Sequence, residues 1–153
     1  MKKAGKSKRI VVAVSGGFDP IHIGHVRMMQ DAKALGTELV VILNNDNWLR
    51  AKKGYTFMHQ NERKEILQAL GCVDRVVFTG HGKNPKDMGV AKDILKLKPD
   101  IFANGGDRKI GTHAPAESIV CAKIGCEEAF GIGRGGKVQS SSWLIKKAAS
   151  YKK

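Results

Sequence analysis

The segment Ser15-Gly16-Gly17-Phe18-Asp19-Pro20-Ile21-His22-Ile23-Gly24-His25 directly follows an apolar run at residues 10–14. An apolar run that ends in two glycines predicts a buried strand turning sharply into a helix. At such a turn backbone N–H groups approach a ligand closely, and the helix directs its partially positive N-terminus to the same point. The two histidines add hydrogen-bond donors for phosphate charge. The segment therefore predicts both the start of the fold and a phosphate site.

Outward from this segment, apolar runs alternate between strand-like and helix-like patterns. The predicted strands cover residues 10–14, 39–43, 75–78, 101–103 and 127–130; the predicted helices cover 25–35, 59–69, 88–97, 116–124 and a stretch after Ser141. Continuous apolar strands are typical of parallel sheets that are covered on both faces. The pattern predicts an α/β domain with a mostly parallel sheet and helices on both faces.

The length of 153 residues fits one domain, so we expect a basic tail at residues 1–9 and a single domain at 10–153. Its three cysteines form no CxxC pair, which favours a reduced, cytoplasmic setting over a disulfide framework. The chain has no apolar run of membrane-spanning length, and the basic start leads directly into a short strand rather than a signal-peptide core. We expect a soluble, unsecreted protein without a membrane partner.

The formal net charge of +13 attracts polyanions of any kind. The basic residues are spread along the chain, and only 6% of residues are aromatic, with none clustered as a base-stacking platform. Nucleic acid is therefore a disfavoured partner, while nucleotides remain candidates. The basic ends are interpreted as solvated tails.

Three less regular stretches, residues 44–58, 104–114 and 131–142, each follow a predicted strand. The carboxyl ends of parallel strands meet at one edge of a sheet, where open α/β sheets bind ligands. These stretches are therefore expected to surround the first turn.

The segment Gly16–His25 matches the GxFDxxHxGH hallmark of the cytidylyltransferase-like nucleotidyltransferases, which the chain resembles along nearly its whole length. Class I aminoacyl-tRNA synthetases share the tetrapeptide of residues 22–25, but this chain lacks their length and a KMSKS sequence. The resemblance implies a Rossmann-like domain with Gly16, Gly17, Phe18, Asp19 and Gly24 at the nucleotide. Further matches are Asn44-Asn45-Asp46, Lys52-Lys53-Gly54-Tyr55, residues 61–67 and residues 73–77.

Such an enzyme joins a substrate phosphate oxygen to the α-phosphate of a nucleoside triphosphate and releases pyrophosphate. Catalysis of this step depends on alignment and on positive or donating groups at the growing charge. The catalytic candidates are His22, His25 and Lys53, the last in a basic loop that approaches both substrates in this family. Gly24 between the histidines leaves room for the ligand.

Lys52, Asp46 and Arg63 are the candidates for binding the second substrate. Each has a plainer interpretation: Lys52 and Lys53 as a solvated pair, Asp46 as a turn cap, and Arg63 as a surface residue of a helix. Both interpretations stay open at this point.

Asn104-Gly105-Gly106-Asp107 resembles the KGGDY segment of heptose-phosphate adenylyltransferases, which implies recognition of base and ribose by Asn104, Gly105 and Asp107. A glycine turn with an aspartate cap is the alternative. The chain departs from that pattern, because Asn104 replaces lysine and Arg108 replaces tyrosine. The choice between ATP and CTP therefore stays open.

Ser140, Ser141 and Ser142 precede the last predicted helix, where hydroxyls and free N–H groups face an anion. In the family, an ISTT- or ISSS-type segment here cradles the triphosphate. The cytidylyltransferase form of this segment has an arginine just upstream, a place that Lys137 or Arg134 would fill in this chain.

The remaining histidines are scattered, and no metal-ligand spacing is present, so no protein metal site is expected. Mg²⁺ is expected with the triphosphate, held mostly by phosphate and water oxygens. Asp19 is interpreted as an indirect ligand, as a group that orients a histidine, or as a plain turn residue.

The leading hypothesis is a nucleotidyltransferase that transfers a nucleoside monophosphate from ATP or CTP to a phosphorylated small metabolite, a sugar phosphate of the heptose 1-phosphate kind. The alternatives are cytidylyl transfer to glycerol 3-phosphate or an amino-alcohol phosphate, and adenylyl transfer to FMN. A non-catalytic nucleotide- or nucleic-acid-binding protein is the rival of another class. A homodimer is expected, as the commonest soluble oligomer.

Overall fold

A five-stranded parallel sheet organises the protein, whose computed structural model describes residues 5–105, 115–133 and 139–151. The strands are β1 (Val11–Gly16), β2 (Glu38–Leu43), β3 (Arg75–Phe78), β4 (Ile101–Gly105) and β5 (Glu127–Ile132). Their order in the sheet is β3-β2-β1-β4-β5, with every neighbouring pair parallel. The first strand is therefore central, and the chain reverses its direction of winding beside it.

Helices connect these strands. They are α1 (Ile23–Lys33), α2 (Asp46–Lys53), α3 (Gln60–Gln68), α4 (Ala91–Leu97), α5 (Pro115–Ile124) and α6 (Ser141–Ser150). In the described part of the chain, no helix is both long and apolar enough to cross a membrane.

The apolar strands are buried on both faces of the sheet. Val12 and Val14 of β1 pack with Met29 of α1 and Leu67 of α3, on what we call the α1 face. Ala13 of the same strand points the other way, into a second core with residues of α4 and α5, on the α4 face. This arrangement confirms the predicted α/β, Rossmann-like domain.

Most element boundaries agree with the sequence prediction, and three strands extend beyond their predicted carboxyl ends, among them β5, which continues to Ile132. β1 continues to Gly16 and β4 to Gly105, so Asn104 and Gly105 belong to a strand. α1 begins at Ile23, two residues earlier than predicted, with His22 as its N-cap. Both predicted catalytic histidines therefore belong to the first turn of this helix.

The predicted irregular stretch 44–58 requires a correction, because residues 46–53 form the helix α2. The side chain of Asn45 accepts a hydrogen bond from the N–H of Trp48 at 3.0 Å, and Gly54 ends the helix with a φ of 85°. These are ordinary start and stop signals, and the buried Leu49 anchors the helix between them. Lys52 and Lys53 therefore lie in the last turn of a helix rather than in a loop.

The basic N-terminal segment is attached to the domain through its last residue. Arg9 donates to the carboxylate of Glu38 at 2.7 Å, and the N–H of Val11 donates to the Asp100 carboxylate at 2.8 Å. Residues 5–10 have no regular secondary structure.

Candidate active site

His22 and His25 cap the first turn of α1 reciprocally. The Nδ1 atom of His22 accepts from the N–H of Gly24 at 3.1 Å, and the Nδ1 atom of His25 accepts from the N–H of His22 at 3.3 Å. Two N–H groups that the helix cannot pair by itself are thereby satisfied. The histidines are fixed in position by the start of the helix.

These hydrogen bonds also decide where each imidazole carries its proton. A neutral imidazole has one donor and one acceptor nitrogen, and here both Nδ1 atoms accept. The proton of each neutral ring therefore resides on Nε2. Both side chains offer an Nε2–H donor to a ligand, as the predicted phosphate site needs.

Packing keeps both imidazoles neutral. The two rings stack with centroids 3.6 Å apart, and the ring of Phe18 meets His25 edge-on at 4.9 Å. Burial lowers the pKa of His22, while burial, His22 and Lys53 together lower the pKa of His25 from 6.5 to about 3. The histidines therefore present oriented neutral donors, and the adjacent full positive charge is that of Lys53.

Gly16 is required for the position of Phe18. A Cβ atom built on Gly16 would lie 2.8 Å from Cζ of Phe18, closer than atoms can approach without a shift. Phe18 is 5% exposed and has a φ of 50°, which bulky residues rarely adopt. Gly16, Phe18 and His25 therefore pack together at the turn.

Asp19 and Lys53 connect the turn to the segment after α2. The carboxylate of Asp19 is 1% exposed and accepts from the N–H groups of Phe57 at 2.7 Å and Met58 at 2.6 Å. Lys53 Nζ donates to the carbonyl of Asp19 at 3.3 Å. The structure thus brings Lys53 beside His25, and it uses Asp19 to hold residues 57–58 against the turn.

Arg63 lies beneath the site, where its side chain is completely buried. Its guanidinium donates to the carbonyls of Gly17 at 2.8 Å, Asn44 at 2.7 Å and Met58 at 3.0 Å, and to the Asp46 carboxylate at 2.7 Å. It has no surface to offer to a ligand in this arrangement. Its contribution is to join the ends of β1 and β2 to the segment before α3.

Asp46 is the buried partner of two basic groups. It is 4% exposed, and its second carboxylate oxygen lies 3.2 Å from Nε2 of His59. Sequence reasoning missed His59, which caps α3 in a capping box with Glu62. The spacing His-x-x-Glu before a helical pattern was the available signal. Lys52, by contrast, is exposed and makes no recorded contact with these groups.

The predicted serine segment reaches the first turn. Ser141 Oγ donates to the carbonyl of Pro20 at 2.7 Å, which places the start of α6 beside the start of α1. Ser140 Oγ and Ser142 Oγ are 2.8 Å apart, and the side chain of the N-cap residue Ser140 makes no capping hydrogen bond among the described residues. Two helix N-termini therefore converge near His22, as an anion-binding site requires.

Asn104 and Gly105 face opposite sides of the sheet. A Cβ atom on Gly105 would collide with Sδ of Met28, so this residue faces α1. Strand alternation turns Asn104 toward the α4 face, the face of Phe102. The predicted Asp107, together with Arg134 and Lys137, lies outside the described residues.

A cavity of about 320 Å³ opens on the β3 side of the same edge, between residues 80–82 and 85–93. His81 is fixed at its wall: Nδ1 lies 2.8 Å from Thr79 Oγ1, and Nε2 lies 3.0 Å from the carbonyl of Gly89. Asn45 donates to the carbonyls of Thr79 and His81 at 3.1 and 2.8 Å, which ties this wall to α2. Sequence reasoning found no pattern in this region.

No cluster of three or more histidine, cysteine or acidic side chains suitable for a metal exists among the described residues. Asp19, the carboxylate adjoining the histidine pair, is engaged with two backbone N–H groups. The described residues therefore do not form a cage for Mg²⁺.

Residues 13–124 match the family model described as cytidylyltransferase-like. The chain is 40% identical to FAD synthase of Pyrococcus horikoshii over 105 residues, which cover 68% of each chain. It is 36% identical to FAD synthase of Thermococcus sibiricus over 80% of each chain. It is also 41% identical to the bifunctional protein HldE of Citrifermentans bemidjiense over 65% of this chain, but this match spans only 20% of HldE.

Among solved structures, the lipopolysaccharide core biosynthesis protein of Thermoplasma volcanium superposes with a TM-score of 0.65 at 28% identity. The match covers 82% of this chain and 98% of that one. Pantothenate synthetase of Thermus thermophilus shares the fold at 15% identity, with a TM-score of 0.55 over 90% of this chain and 61% of that chain.

Proposed function

The chain belongs to the cytidylyltransferase-like family and is a nucleotidyltransferase, and we propose that it transfers the adenylyl group of ATP to the phosphate of FMN, forming FAD and pyrophosphate. The observation that carries this choice is the match to relatives named FAD synthase, which covers 68 to 80% of both chains. The relatives named HldE are matched over about one fifth of their length. A reaction that yields FAD also decides for ATP over CTP.

In the proposed reaction a phosphate oxygen of FMN attacks the α-phosphorus of ATP. One P–O bond forms, the bond between the α-phosphorus and the bridging oxygen breaks, and pyrophosphate leaves with the electron pair. No covalent enzyme intermediate is needed. The requirement is to align two phosphates and to stabilise the charge on the transferring group.

His22 and His25 donate from Nε2–H to the oxygens of the α-phosphate in this proposal. Their reciprocal caps support the assignment, because the donors are oriented before any ligand arrives. Lys53 adds a compact positive charge between the two phosphates. Ser140, Ser142 and backbone N–H groups at the start of α6 bind the β- and γ-phosphates in this proposal, which the position of α6 beside α1, fixed by the bond from Ser141 Oγ to the Pro20 carbonyl, supports.

Mg²⁺ accompanies ATP in this proposal and is held by phosphate and water oxygens. The described residues provide no carboxylate cage, and no catalytic step is assigned to the ion. Asp19 acts as a positioning residue through its bonds to Phe57 and Met58.

A sugar phosphate of the heptose 1-phosphate kind is the second candidate acceptor. The identity of 41% to a segment of HldE and the likeness to a lipopolysaccharide core biosynthesis protein favour it. The bond made and the groups assigned to the α-phosphate are the same for both acceptors.

The test is to incubate the protein with ATP, MgCl₂ and one phosphorylated acceptor, and to measure pyrophosphate and the product by chromatography. We expect FAD from FMN, with little turnover of CTP. Pyrophosphate release with heptose 1-phosphate but not with FMN would overturn the FMN assignment. Inactivity with both acceptors would favour a binding protein.

Lys53→Ala and Lys96→Ala form a matched pair for this assay. Lys96 is exposed in the last turn of α4, at the opposite edge of the sheet. We expect the first variant to lose most of its turnover and the second to match the wild type. Equal turnover in the two variants would remove Lys53 from the catalytic groups.

We further propose a cytoplasmic homodimer that does not read nucleic acid. Three free cysteines support a reduced compartment. Light scattering on the purified protein measures its mass in solution, and a binding titration against RNA at several salt concentrations measures the affinity for nucleic acid.

A further inference from the structure

Four buried side-chain atoms have no hydrogen-bond partner in the described part of the chain. They are Asn44 Oδ1, Asn104 Oδ1, Asn104 Nδ2 and Glu117 Oε2. The residues that carry them are only 2 to 5% exposed. Buried polar groups in proteins are nearly always paired, and an unpaired one destabilises the fold. Their presence calls for an explanation.

These atoms gather at the carboxyl edge of the sheet, on the α4 face. Each residue lies one repeat of its element from a member of the core on that face. Asn44 comes two residues after Ile42, Asn104 comes two residues after Phe102, and Glu117 comes one helical turn before Cys121. α5 returns antiparallel to the strands, so its N-terminal turn with Glu117 is at the carboxyl edge. The three residues therefore border one region.

The groups assigned to ATP approach from the other face. Gly105, the neighbour of Asn104, faces Met28 of α1, and α6 begins beside Pro20 in front of that helix. The amide of Asn104 points away from this side. The amide is thus turned away from the groups assigned to the triphosphate.

The chemical character of the unpaired atoms indicates what they bind. Three of the four are acceptor oxygens, and one is a donor nitrogen. Glu117 is held by its other oxygen, which accepts from the N–H of Val90 at 3.1 Å and leaves Oε2 free. A ligand rich in donors matches this set, and hydroxyl groups fit it because they donate to the three oxygens and also accept from the amide nitrogen of Asn104.

The spacing of the strands requires more than one hydroxyl. Asn44 follows β2 and Asn104 lies near the end of β4. These strands are separated by β1, so the two positions are at least about 10 Å apart across the sheet. A single hydroxyl cannot bond both side chains.

We propose that Asn44, Asn104 and Glu117 bind the hydroxyl groups of the acceptor, so that the enzyme selects phosphate esters with a polyhydroxyl chain or ring. This inference rests on the proposed function, in which the ribityl chain of FMN carries these hydroxyls next to the phosphate. The cavity at residues 80–93 provides the approach. A methyl group on Gly89, which lines the cavity, would lie 3.7 Å from Oε1 of Glu117.

The first test compares the stability of Asn104→Leu with its kinetics. Because the amide is unpaired, replacing it with an apolar side chain of similar size leaves the melting temperature unchanged or raised. The KM for FMN rises about tenfold, while kcat and the KM for ATP stay within about twofold of the wild type. Asn61→Leu, at an exposed position in α3, is the matched control, and it changes neither the melting temperature nor the KM for FMN.

A purely structural Asn104 gives the opposite result, with a lower melting temperature and an unchanged KM. A selective rise in the KM for ATP assigns the amide to the nucleotide. Either result overturns the inference.

The second test uses FMN analogues that lack single ribityl hydroxyls. The wild type has a lower kcat/KM for at least one analogue than for FMN. In Asn104→Leu or Glu117→Gln, this difference in kcat/KM disappears for the analogue that lacks the hydroxyl bound by the replaced side chain. Equal use of FMN and all deoxy analogues by the wild type overturns the inference while leaving FAD formation intact.

Failure of the proposed function is recognised separately, by the absence of FAD with the wild type. In that case the same variants are measured with heptose 1-phosphate and its deoxy analogues. If the wild type discriminates between heptose 1-phosphate and its deoxy analogues, the hydroxyl site is supported with a different acceptor. Equal use of these compounds overturns the inference.

Discussion

At the scale of single residues, the two ring nitrogens of His25 have different tasks. Nδ1 accepts from the N–H of His22 and belongs to the helix cap, while Nε2 is available to a ligand. His25→Asn retains an acceptor near the position of Nδ1 and removes the Nε2–H donor. We expect a loss in kcat of about 10²–10³, the usual effect of removing one donor from a charge-stabilising site.

Circular dichroism and thermal melting are the controls for this variant, and its melting temperature is expected to stay close to that of the wild type. His25→Ala removes both nitrogens and lowers stability as well as turnover. A folded His25→Asn protein with wild-type kcat would contradict a role for Nε2 in the reaction.

The lowered pKa of His25 predicts a pH dependence of stability. In the unfolded chain the imidazole binds a proton below its ordinary pKa of 6.5, whereas in the fold it does so only near 3. Between these values the unfolded chain binds more protons, so the free energy of unfolding falls as the pH is lowered from 6.5 toward 3.

Urea denaturation at several pH values measures this slope, and His25→Asn should reduce it. His22, whose pKa is also lowered, contributes to the same window. If NMR finds the imidazole of His25 protonated at pH 6 in the folded protein, this prediction is wrong.

At the scale of elements, Arg63 joins parts of the chain that are distant in sequence. Its four hydrogen bonds reach the turn after β1, the end of β2, α2 and the segment before α3. Arg63→Met leaves the carboxylate of Asp46 buried without its main partner, which destabilises by about 3–5 kcal/mol. Arg75→Met, which removes an exposed arginine paired with Glu38, should change stability by less than about 1 kcal/mol.

Urea denaturation of the two variants measures the difference. The double variant Arg63→Met/Asp46→Asn removes the unpaired charge and should recover part of the lost stability. A stability loss in Arg63→Met no larger than that in Arg75→Met would show that the network contributes little.

The turn between β1 and α1 depends on the packing of Phe18 over Gly16. Gly16→Ala puts a methyl group 2.8 Å from the ring and displaces it from His25. We expect a stability loss of about 1–3 kcal/mol and a fall in kcat of at least about tenfold, since misplaced catalytic groups lose rate steeply. Gly71→Ala is the matched control, because no heavy atom lies within 4 Å of its added methyl group.

Thermal melting and FAD formation give the two readouts. If Gly16→Ala keeps the wild-type kcat, the ring of Phe18 is not needed to hold His25.

The elements also show what the sequence could predict. Continuous apolar runs such as 39–43 identified the parallel strands, and the glycine and histidine pattern identified the first turn. α2 was missed because its eight residues offer only Trp48 and Leu49 as an apolar signal, although Asn45 and Gly54 mark its ends. The burial of Arg63 and Asp19 depends on several segments meeting in space, and charged residues are ordinarily exposed.

At the scale of the whole molecule, part of the positive charge belongs to the N-terminal segment and can be removed without changing the candidate site. The lysines of the N-terminal segment precede Arg9, which anchors to Glu38 on the sheet. Deletion of residues 1–8 removes four of them, Lys2, Lys3, Lys6 and Lys8, and keeps this anchor. We expect kcat and the KM for ATP to stay within about twofold of their values in the full chain, and the melting temperature to stay within a few degrees. The reason is that exposed charges contribute little to stability or to binding at physiological salt.

Steady-state kinetics at low and physiological salt test this prediction. Deletion of residues 1–9, which also removes the bridge of Arg9 to Glu38, serves as the comparison. A rise in the KM for ATP after the shorter deletion would assign the tail to nucleotide capture.

In the proposed arrangement the sheet separates the two substrates by face. The α1 face carries the histidines and the serine segment, and the α4 face carries the unpaired groups of Asn44, Asn104 and Glu117. Two sequence motifs located the first set, because the histidines and the serines each lie in a short contiguous segment. The second set comes from three separate elements, and the side to which Asn104 points is decided by the pleat of β4.

The reciprocal caps of α1 make the amide protons of His22 and Gly24 reporters of the reaction chemistry. Each is bonded to an imidazole nitrogen, so its exchange with solvent deuterium requires that bond to open. Whenever the first helical turn frays, the imidazoles are released to exchange their tautomers and rotate. The exchange rates at these two amides therefore measure how often the caps open while the rest of the fold is intact, and in the proposed function these openings displace the Nε2 donors.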